Sequence, residues 1–284
     1  MSIAQRVFHG SFGRVALLDM DHTLVTHSHH ECHVLVKAAG ADTFFNVNGR
    51  RVPLTDRQAV LVNAWQPHFY DHQDGAGPTQ ILALYIEPPW LADIQHSLAL
   101  SAHPGFFTQS GIELNSKNRR LADLLIAEAY SPGLVPRERI ESLLFDFLIE
   151  LIEDHSEWRQ LRRLGAGSRL GFQDTRIRRA CDYLRTHFND PDCLNNAARA
   201  ANLSRAHFFT LFRRDTGMSP MLMLNDTRMR RAFDWLETER NGTLGQLAED
   251  LGFSEQGHFT RFFQQHIGAA PSQYRRVIDS YAGH

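Results

Sequence analysis

Cysteine is scarce. The 284 residues hold three, Cys32, Cys181 and Cys193. They are too scattered for a disulfide framework or a zinc ribbon, which need cysteines paired at short intervals. So low a count suits a reducing compartment. Lysine is nearly missing: Lys37 and Lys117 are the only two among 30 basic residues. The other cations are arginine, which suits bidentate contact with phosphate and base edges, although a coding bias toward arginine explains it equally well. No apolar run reaches the roughly 18 residues that a membrane-spanning helix needs. The start, MSIAQRVFHGSFGRVALLDMDH, has no cationic stretch followed by an apolar one, so no secretory signal is visible. A cytoplasmic protein with no membrane partner is expected. The 19 glycines and 11 prolines are too few for a collagen-like or disordered chain, and 43% hydrophobic residues suffice for a globular one.

What is present is unevenly distributed. The net charge of −2 conceals an acidic half and a basic half. Residues 1–158 hold 11 Lys+Arg against 19 Asp+Glu; residues 159–284 hold 19 against 13. Different partners for the two halves are implied. The length accommodates two ordinary domains.

Residues 7–88 read as strands. Short apolar stretches at Val15–Leu18, Val34–Lys37, Thr43–Val47, Ala59–Val62 and Ile81–Ile86 alternate with turn residues. Asn48-Gly49 is a two-residue hairpin signal, because both positions tolerate positive φ. Many short strands without long helices predict a sandwich or small barrel. From about residue 116 the period becomes helical, with Leu121, Leu124, Leu125 and Ala129 on one face. A second helix, about Pro136 to Trp158, carries an apolar stripe: Ile140, Leu143, Leu144, Phe147, Leu151 and Ile152. The stripe must bury against its own barrel or against the same helix of a second subunit, and the two are not exclusive. Ile140, Leu143, Leu144, Phe147 and Leu151 are the candidate dimer seam. Gly165-Ala166-Gly167-Ser168 and Gly171 mark 159–173 as a flexible linker. The expected division is therefore 1–158, linker 159–173, and 174–284.

Residues 174–284 read as helical throughout and contain an internal repeat. Leu194, Ala198, Leu203 and Ser204 recur fifty positions on as Leu244, Ala248, Phe253 and Ser254. His207-Phe208, Phe212, Gly217 and Pro220 recur fifty-one on as His258-Phe259, Phe263, Gly268 and Pro271. Each copy reads helix, turn, helix. Asn202 and Gly252 occupy the turn, where left-handed backbone is tolerated. Ser204 and Ser254 cap the following helix. This is a helix-turn-helix pattern, whose second helix fits a major groove.

At LNNAARAANLSRAHFFTLFRRDTGMSP and TLGQLAEDLGFSEQGHFTRFFQQHIGAAPSQYRR the chain resembles the AraC-type transcriptional regulators. The resemblance implies seven helices, two helix-turn-helix units joined by a rigid helix, and an N-terminal cupin-like effector-binding domain. It places Gln256, Gly257, Thr260 and Arg261 at base-facing positions of the second recognition helix. Gln pairs with adenine and Arg with guanine. The matching positions in the first are Arg205, Ala206, Phe209 and Thr210; Thr210 stands where the family often has Arg. That unit is expected to contribute more shape and phosphate contact than base identity. Phe208, Phe212, Phe259, Phe262 and Phe263 read as core. Arg213, Arg214, Arg228, Arg230, Arg231, Arg275 and Arg276 read either as phosphate contacts or as solvated surface.

Seven of the sixteen histidines fall between residues 22 and 72. HSHHECH resembles the first cupin motif, with His27, His29, His33 and Gly40 at its spacings and His33 where Glu is usual. NAWQPHFYDH offers His68 as a fourth. On a strand His27, His29 and His33 would face the barrel interior. A divalent transition metal (Zn, Fe, Ni or Cu) is one reading of His27, His29, His33 and His68. A metal-free effector pocket lined by these histidines with Trp65 and Tyr70 is the other. No catalytic residue is assigned, because no nucleophile elbow, phosphate loop or dinucleotide motif is found. A metal-dependent cupin enzyme and an architectural DNA-binding protein are weighed and leave one or the other half unexplained. The predicted protein is a two-domain, effector-controlled, sequence-specific regulator of transcription. Its partners are double-stranded DNA, a small molecule, a second copy of itself and, if it activates, RNA polymerase.

Overall fold

The computed structural model describes residues 2–131, 133–156, 174–239 and 241–281. The predicted linker 159–173 lies outside them. The chain forms two units, one of residues 1–167 with 265–284, the other of residues 168–264.

In the first unit the apolar stretches anticipated from the sequence are strands. β1 is Ile3–Gly10, β2 Gly13–Met20, β3 Cys32–Gly40, β4 Thr43–Val47, β5 Arg50–Leu54, β6 Gln58–Val62, β7 His68–Asp71, β8 Thr79–Ile86 and β9 Gly111–Glu113. A last strand, β10 (Ile278–Ser280), comes from the end of the chain. These form a seven-stranded sheet in the order β10-β1-β2-β8-β3-β6-β9 and a three-stranded sheet in the order β5-β4-β7. Two open sheets thus stand where a closed barrel was predicted. No strand ladder joins them among the described residues; the isolated bridge His27–His68 leads into β7. Asn48 (φ 51°) and Gly49 (φ 80°) make the predicted hairpin turn, which sets Val47 opposite Arg50.

Helix α1 is Pro88–Ile94, α2 Ser116–Tyr130 and α3 Arg137–His155. Asn115 caps α2, accepting from the Asn118 amide at 2.7 Å. Along β3 the period-2 alternation sends Val34 and Val36 into one apolar core with Leu17, Leu84, Leu125 and Phe147. His33 therefore belongs to the other sheet face, register-paired with Tyr85. The predicted α3 stripe also lies in this core. Ile140, Leu143, Leu144, Phe147 and Leu151 are each at most 4% exposed, packed within their own unit. A dimer seam made of these five would require opening that core, because each side chain already has its apolar neighbours. The exposed side of α3 carries Phe145 and Asp146.

Residues 174–281 are not helical throughout, as the sequence pattern suggested. β10 pairs parallel with β1, setting Val7 beside Ile278 and His9 beside Ser280. Arg6 Nε lies 2.5 Å from Asp279 Oδ2, and the Tyr281 ring stacks on Phe8 at 6.0 Å. A three-residue strand has no periodicity of its own to betray it; the free edge of β1 creates it.

The helical part begins with α4 (Thr175–Thr186), α5 (Cys193–Ala200), α6 (Arg205–Thr216), α7 (Pro220–Thr238), α8 (Leu244–Asp250), α9 (Gln256–Ile267) and α10 (Pro271–Arg276). The division between units falls near the end of α9, so α10 packs with β1 in the first unit. The repeat is visible in the backbone. Asn202 (φ 54°) and Gly252 (φ 77°) take the left-handed turn between α5 and α6 and between α8 and α9. Gly217 (φ 78°) and Gly268 (φ 86°) end α6 and α9, each followed by a helix with proline in its first turn.

Candidate functional site

The first site is the histidine cluster of the first unit. His33 lies on β3 and His68 opens β7, whereas His27 and His29 sit in the irregular segment before β3. The four rings nevertheless come together. Ring centroids are 4.4 Å apart for His27–His68, 4.9 Å for His29–His68, 5.2 Å for His29–His33 and 5.4 Å for His33–His68. All four side chains are buried. The backbone bridge between His27 and His68 holds two of them face to face, with reciprocal N–H to carbonyl bonds of 3.0 and 2.9 Å.

The hydrogen bonds define the tautomers. A backbone carbonyl only accepts, so a ring nitrogen bonded to one must carry the proton. Nδ1 of His27 donates to Val25 O at 2.9 Å, Nδ1 of His29 to Glu31 O at 3.2 Å, and Nδ1 of His68 to Gln66 O at 2.9 Å. Neutral rings bonded this way keep a lone pair on Nε2. His33 Nδ1 is 3.3 Å from His68 Nε2 and must be the donor there. The buried Nε2 atoms of His29 and His33 have no hydrogen-bond partner. Burial, reinforced by the neighbouring histidines, holds His27 and His33 well below the usual imidazole range. Burial likewise pushes His68 down to about 3, with His29 adding to the effect. At neutral pH these three rings are uncharged.

Three residues not singled out from the sequence complete the surroundings. Tyr85 stacks on His33 at 4.0 Å. Arg14 lies over the Tyr85 ring at 4.2 Å and its Nη2 donates to Glu31 Oε1 at 2.9 Å. Burial alone would raise the Glu31 carboxyl, but His30, His29 and Arg14 outweigh it and keep it ionised. Glu31 Oε2 is 3.1 Å from His29 Nδ1. The signal that could have found them is register: β8 sits between β2 and β3, which brings Tyr85 opposite both Arg14 and His33.

The other two predicted pocket residues, Trp65 and Tyr70, have ring partners of their own. Trp65 has φ 63° and a half-buried ring 6.2 Å from His30. Tyr70 is fully buried beside Phe45, its hydroxyl bonded to His72 Nδ1 at 3.0 Å. A second acid–imidazole group, His30, Glu31 and Glu87, lies next to the cluster, with His30 Nε2 at 2.9 Å from Glu87 Oε1.

The second site is the repeated helix-turn-helix. Ser204 caps α6, accepting from the His207 amide at 3.4 Å. Thr243 and Gln246 form a reciprocal capping box on α8. In the second copy the helix begins at Gln256, two residues beyond the predicted cap, and Ser254 Oγ meets His258 Nδ1 at 3.0 Å. Phe208, Phe212, Phe259 and Phe263 are buried as predicted, and Phe262 is half-buried. Gln256, Gly257 and Arg261 are exposed on α9, with Thr260 half-buried beside them. On α6 Arg205, Ala206 and Thr210 are exposed and Phe209 is half-buried. Thr210 Oγ1 donates to the Ala206 carbonyl at 3.1 Å, and Arg205 bonds the Asn195 side chain. Arg228 is engaged inside the fold: its Nε donates to Phe188 O at 2.9 Å and its guanidinium lies over Phe253. Arg213, Arg214 and Arg231 are exposed.

Two comparisons by sequence agree with these geometries. Residues 11–148 match the AraC-like ligand binding domain, and residues 197–277 match a helix-turn-helix domain whose span covers both turns and both recognition helices. The chain belongs to the AraC type. The AraC-type chain is 32% identical over 103 residues to the arabinose operon regulatory protein of Escherichia coli (strain K12), 36% of this chain and 35% of that protein. It is 22% identical over 259 residues to the HTH-type transcriptional activator RhaS of Shigella sonnei, 89% of this chain and 88% of that one. With the first of these relatives, and with an HTH-type regulator of Haemophilus influenzae, the match spans only 35% and 52% of their lengths. By fold it resembles ToxT of Vibrio cholerae, with a TM-score of 0.57 at 11% identity over 95% of this chain and 98% of that one. Among the described residues no helix is long and apolar enough to cross a membrane.

Proposed function

We propose that this AraC-type protein is a sequence-specific, DNA-binding regulator of transcription governed by a small molecule held in its first unit. The observation that carries the reading is the repeated unit in which buried phenylalanines hold a helix whose exposed face bears Gln256, Gly257 and Arg261. Glutamine and arginine supply the paired donors and acceptors that distinguish bases in the major groove. The α6 row of Arg205, Ala206, Phe209 and Thr210 has Thr210 bonded to its own helix, so it offers backbone contact and thymine methyl contact more than hydrogen-bond readout. Both helices would enter successive grooves on one side of the duplex.

A crystal structure of ToxT is described as bound to an unsaturated fatty acid. Here the buried polar lining of His27, His29, His33, His68 and Tyr85, with the Arg14–Glu31 pair, favours a small polar or charged effector. The effector would act by binding one arrangement of the protein better than another. The working domain limits are 1–158, 159–173 and 174–284, with the last strand returning to the first sheet. Self-association falls to exposed surface such as Phe145 on α3, and RNA polymerase is the further partner if the protein activates. No catalytic step is assigned, and the protein would work in the cytoplasm.

Selection of bound sequences from a random DNA pool by the full chain tests this. The expected result is a motif of two contacted segments about 10 base pairs apart. A pool that returns no preferred sequence at low salt overturns the proposal.

A further inference from the structure

We propose that His27, His29 and His68 form a binding site for a divalent first-row transition-metal ion, which makes such an ion, alone or carrying a bound anion, the species the first unit senses. The sensing clause rests on the regulator reading above; the ion site does not. The ligand atoms that these three rings offer lie within 4.8 Å of one another, and all three side chains are buried. Imidazole nitrogens bind zinc at about 2.0–2.1 Å, so two that share an ion stand at most about 4.2 Å apart. Around a tetrahedral ion the separation is about 3.4 Å, so the widest pair closes by roughly 1.4 Å on binding.

The hydrogen bonds point to the same use. In each ring Nδ1 carries a proton, fixed by Val25 O, Glu31 O or Gln66 O, which leaves Nε2 for an ion. This second layer of acceptors is what ligating histidines use to hold their tautomer and orientation. His29 has, in addition, the Glu31 carboxylate 3.1 Å from its Nδ1, and Glu31 is itself held by Arg14. A buried ion pair is expensive to keep and contributes little to stability unless its geometry is used. Orienting and polarising a metal ligand would be such a use. The three Nε2 atoms belong to buried side chains, and that of His29 has no hydrogen-bond partner. A cation relieves that arrangement; a neutral apolar ligand does not.

The donor set also selects the ion. Three imidazoles with no carboxylate among them suit Zn, Co, Ni or Cu and disfavour Mg and Ca. Three ligands leave positions open for water or an anionic molecule. His33 now donates to His68 Nε2, so an ion that takes this lone pair displaces the His33 N–H. Because the His33 ring stacks on Tyr85, ion entry would be felt across β3 and β8.

The test uses the full chain, stripped with a chelator and titrated with cobalt(II), then with zinc(II) in competition. One cobalt per chain with visible d–d absorption, displaced by one zinc, is expected. His29→Ala and His68→Ala should weaken binding at least 100-fold, and the exposed control His96→Ala should not. Should either alanine variant fail to fold, Glu31→Gln keeps the packing and is expected to weaken binding about 10- to 100-fold. Absence of cobalt or zinc binding at 100 µM ion, or binding unchanged in all three site variants, overturns the ion site. A band shift on selected DNA, with and without zinc, separates the two readings. DNA binding without ion binding removes the site and leaves the regulator. Ion binding without DNA binding does the reverse. Ion binding that leaves DNA binding unchanged removes the sensing clause alone.

Discussion

Arg261 is exposed on α9, one turn beyond Gln256 and Gly257, on a helix whose buried side holds Phe259 and Phe263. Its substitution should therefore leave the fold alone and act on recognition. Arg261→Ala is expected to weaken binding to the selected site by about 1–3 kcal/mol and to relax preference at one base pair. A titration against single-base variants of the site measures both. The cysteines call for the opposite outcome, silence. Burial pushes the Cys32 and Cys181 thiols up to about 12 and that of Cys193 to about 11. At pH 8 a thiol reagent should leave the native chain unlabelled and label three positions after denaturation. At this scale the histidines were legible because HSHHECH crowds four into seven residues. Tyr85, Arg14 and Glu31 were not, because their partnership depends on β8 lying between β2 and β3, and no local spacing encodes a neighbour relation between strands.

The turn between α8 and α9 is sensitive to a single methyl group. Gly252 has φ 77°, and a Cβ there would run into the Asn189 carbonyl oxygen. Gly217 has nearly the same φ, 78°, but open space where its Cβ would be. Both alanine variants lose the cost of a left-handed L-residue, roughly 1 kcal/mol, and Gly252→Ala loses more. Chemical denaturation should rank wild type above Gly217→Ala and Gly217→Ala above Gly252→Ala; equal losses would mean that the backbone gives way at Asn189. These helices were readable in advance because caps, left-handed turns and buried phenylalanines recur at matched spacing. The α3 stripe was readable as a stripe, yet its partner was not. Periodicity says that a face must be covered; the core of the first unit shows that its own sheet does the covering. The closed barrel failed similarly, since strand content does not state whether the edges meet.

At the scale of the whole molecule, the distinctive feature is that both ends of the described chain lie in one sheet. Arg6 pairs with Asp279, Tyr281 stacks on Phe8, and the Tyr281 hydroxyl donates to the Val135 carbonyl at 2.6 Å. A chain ended after Val277 should melt at lower temperature, by several degrees for a loss of about 1–3 kcal/mol. It should also self-associate more readily, because the edge of β1 is then bare. Light scattering and thermal melting of the shortened chain check both effects; an unchanged melt would mean that the strand adds nothing to the sheet. The parallel pairing of residues 7–9 with 278–280 bears also on how the protein is made. A ribosome delivers β1 long before β10, with the whole helical part in between. Until β10 has been made the nascent sheet has an unguarded margin, and the late strand seals it.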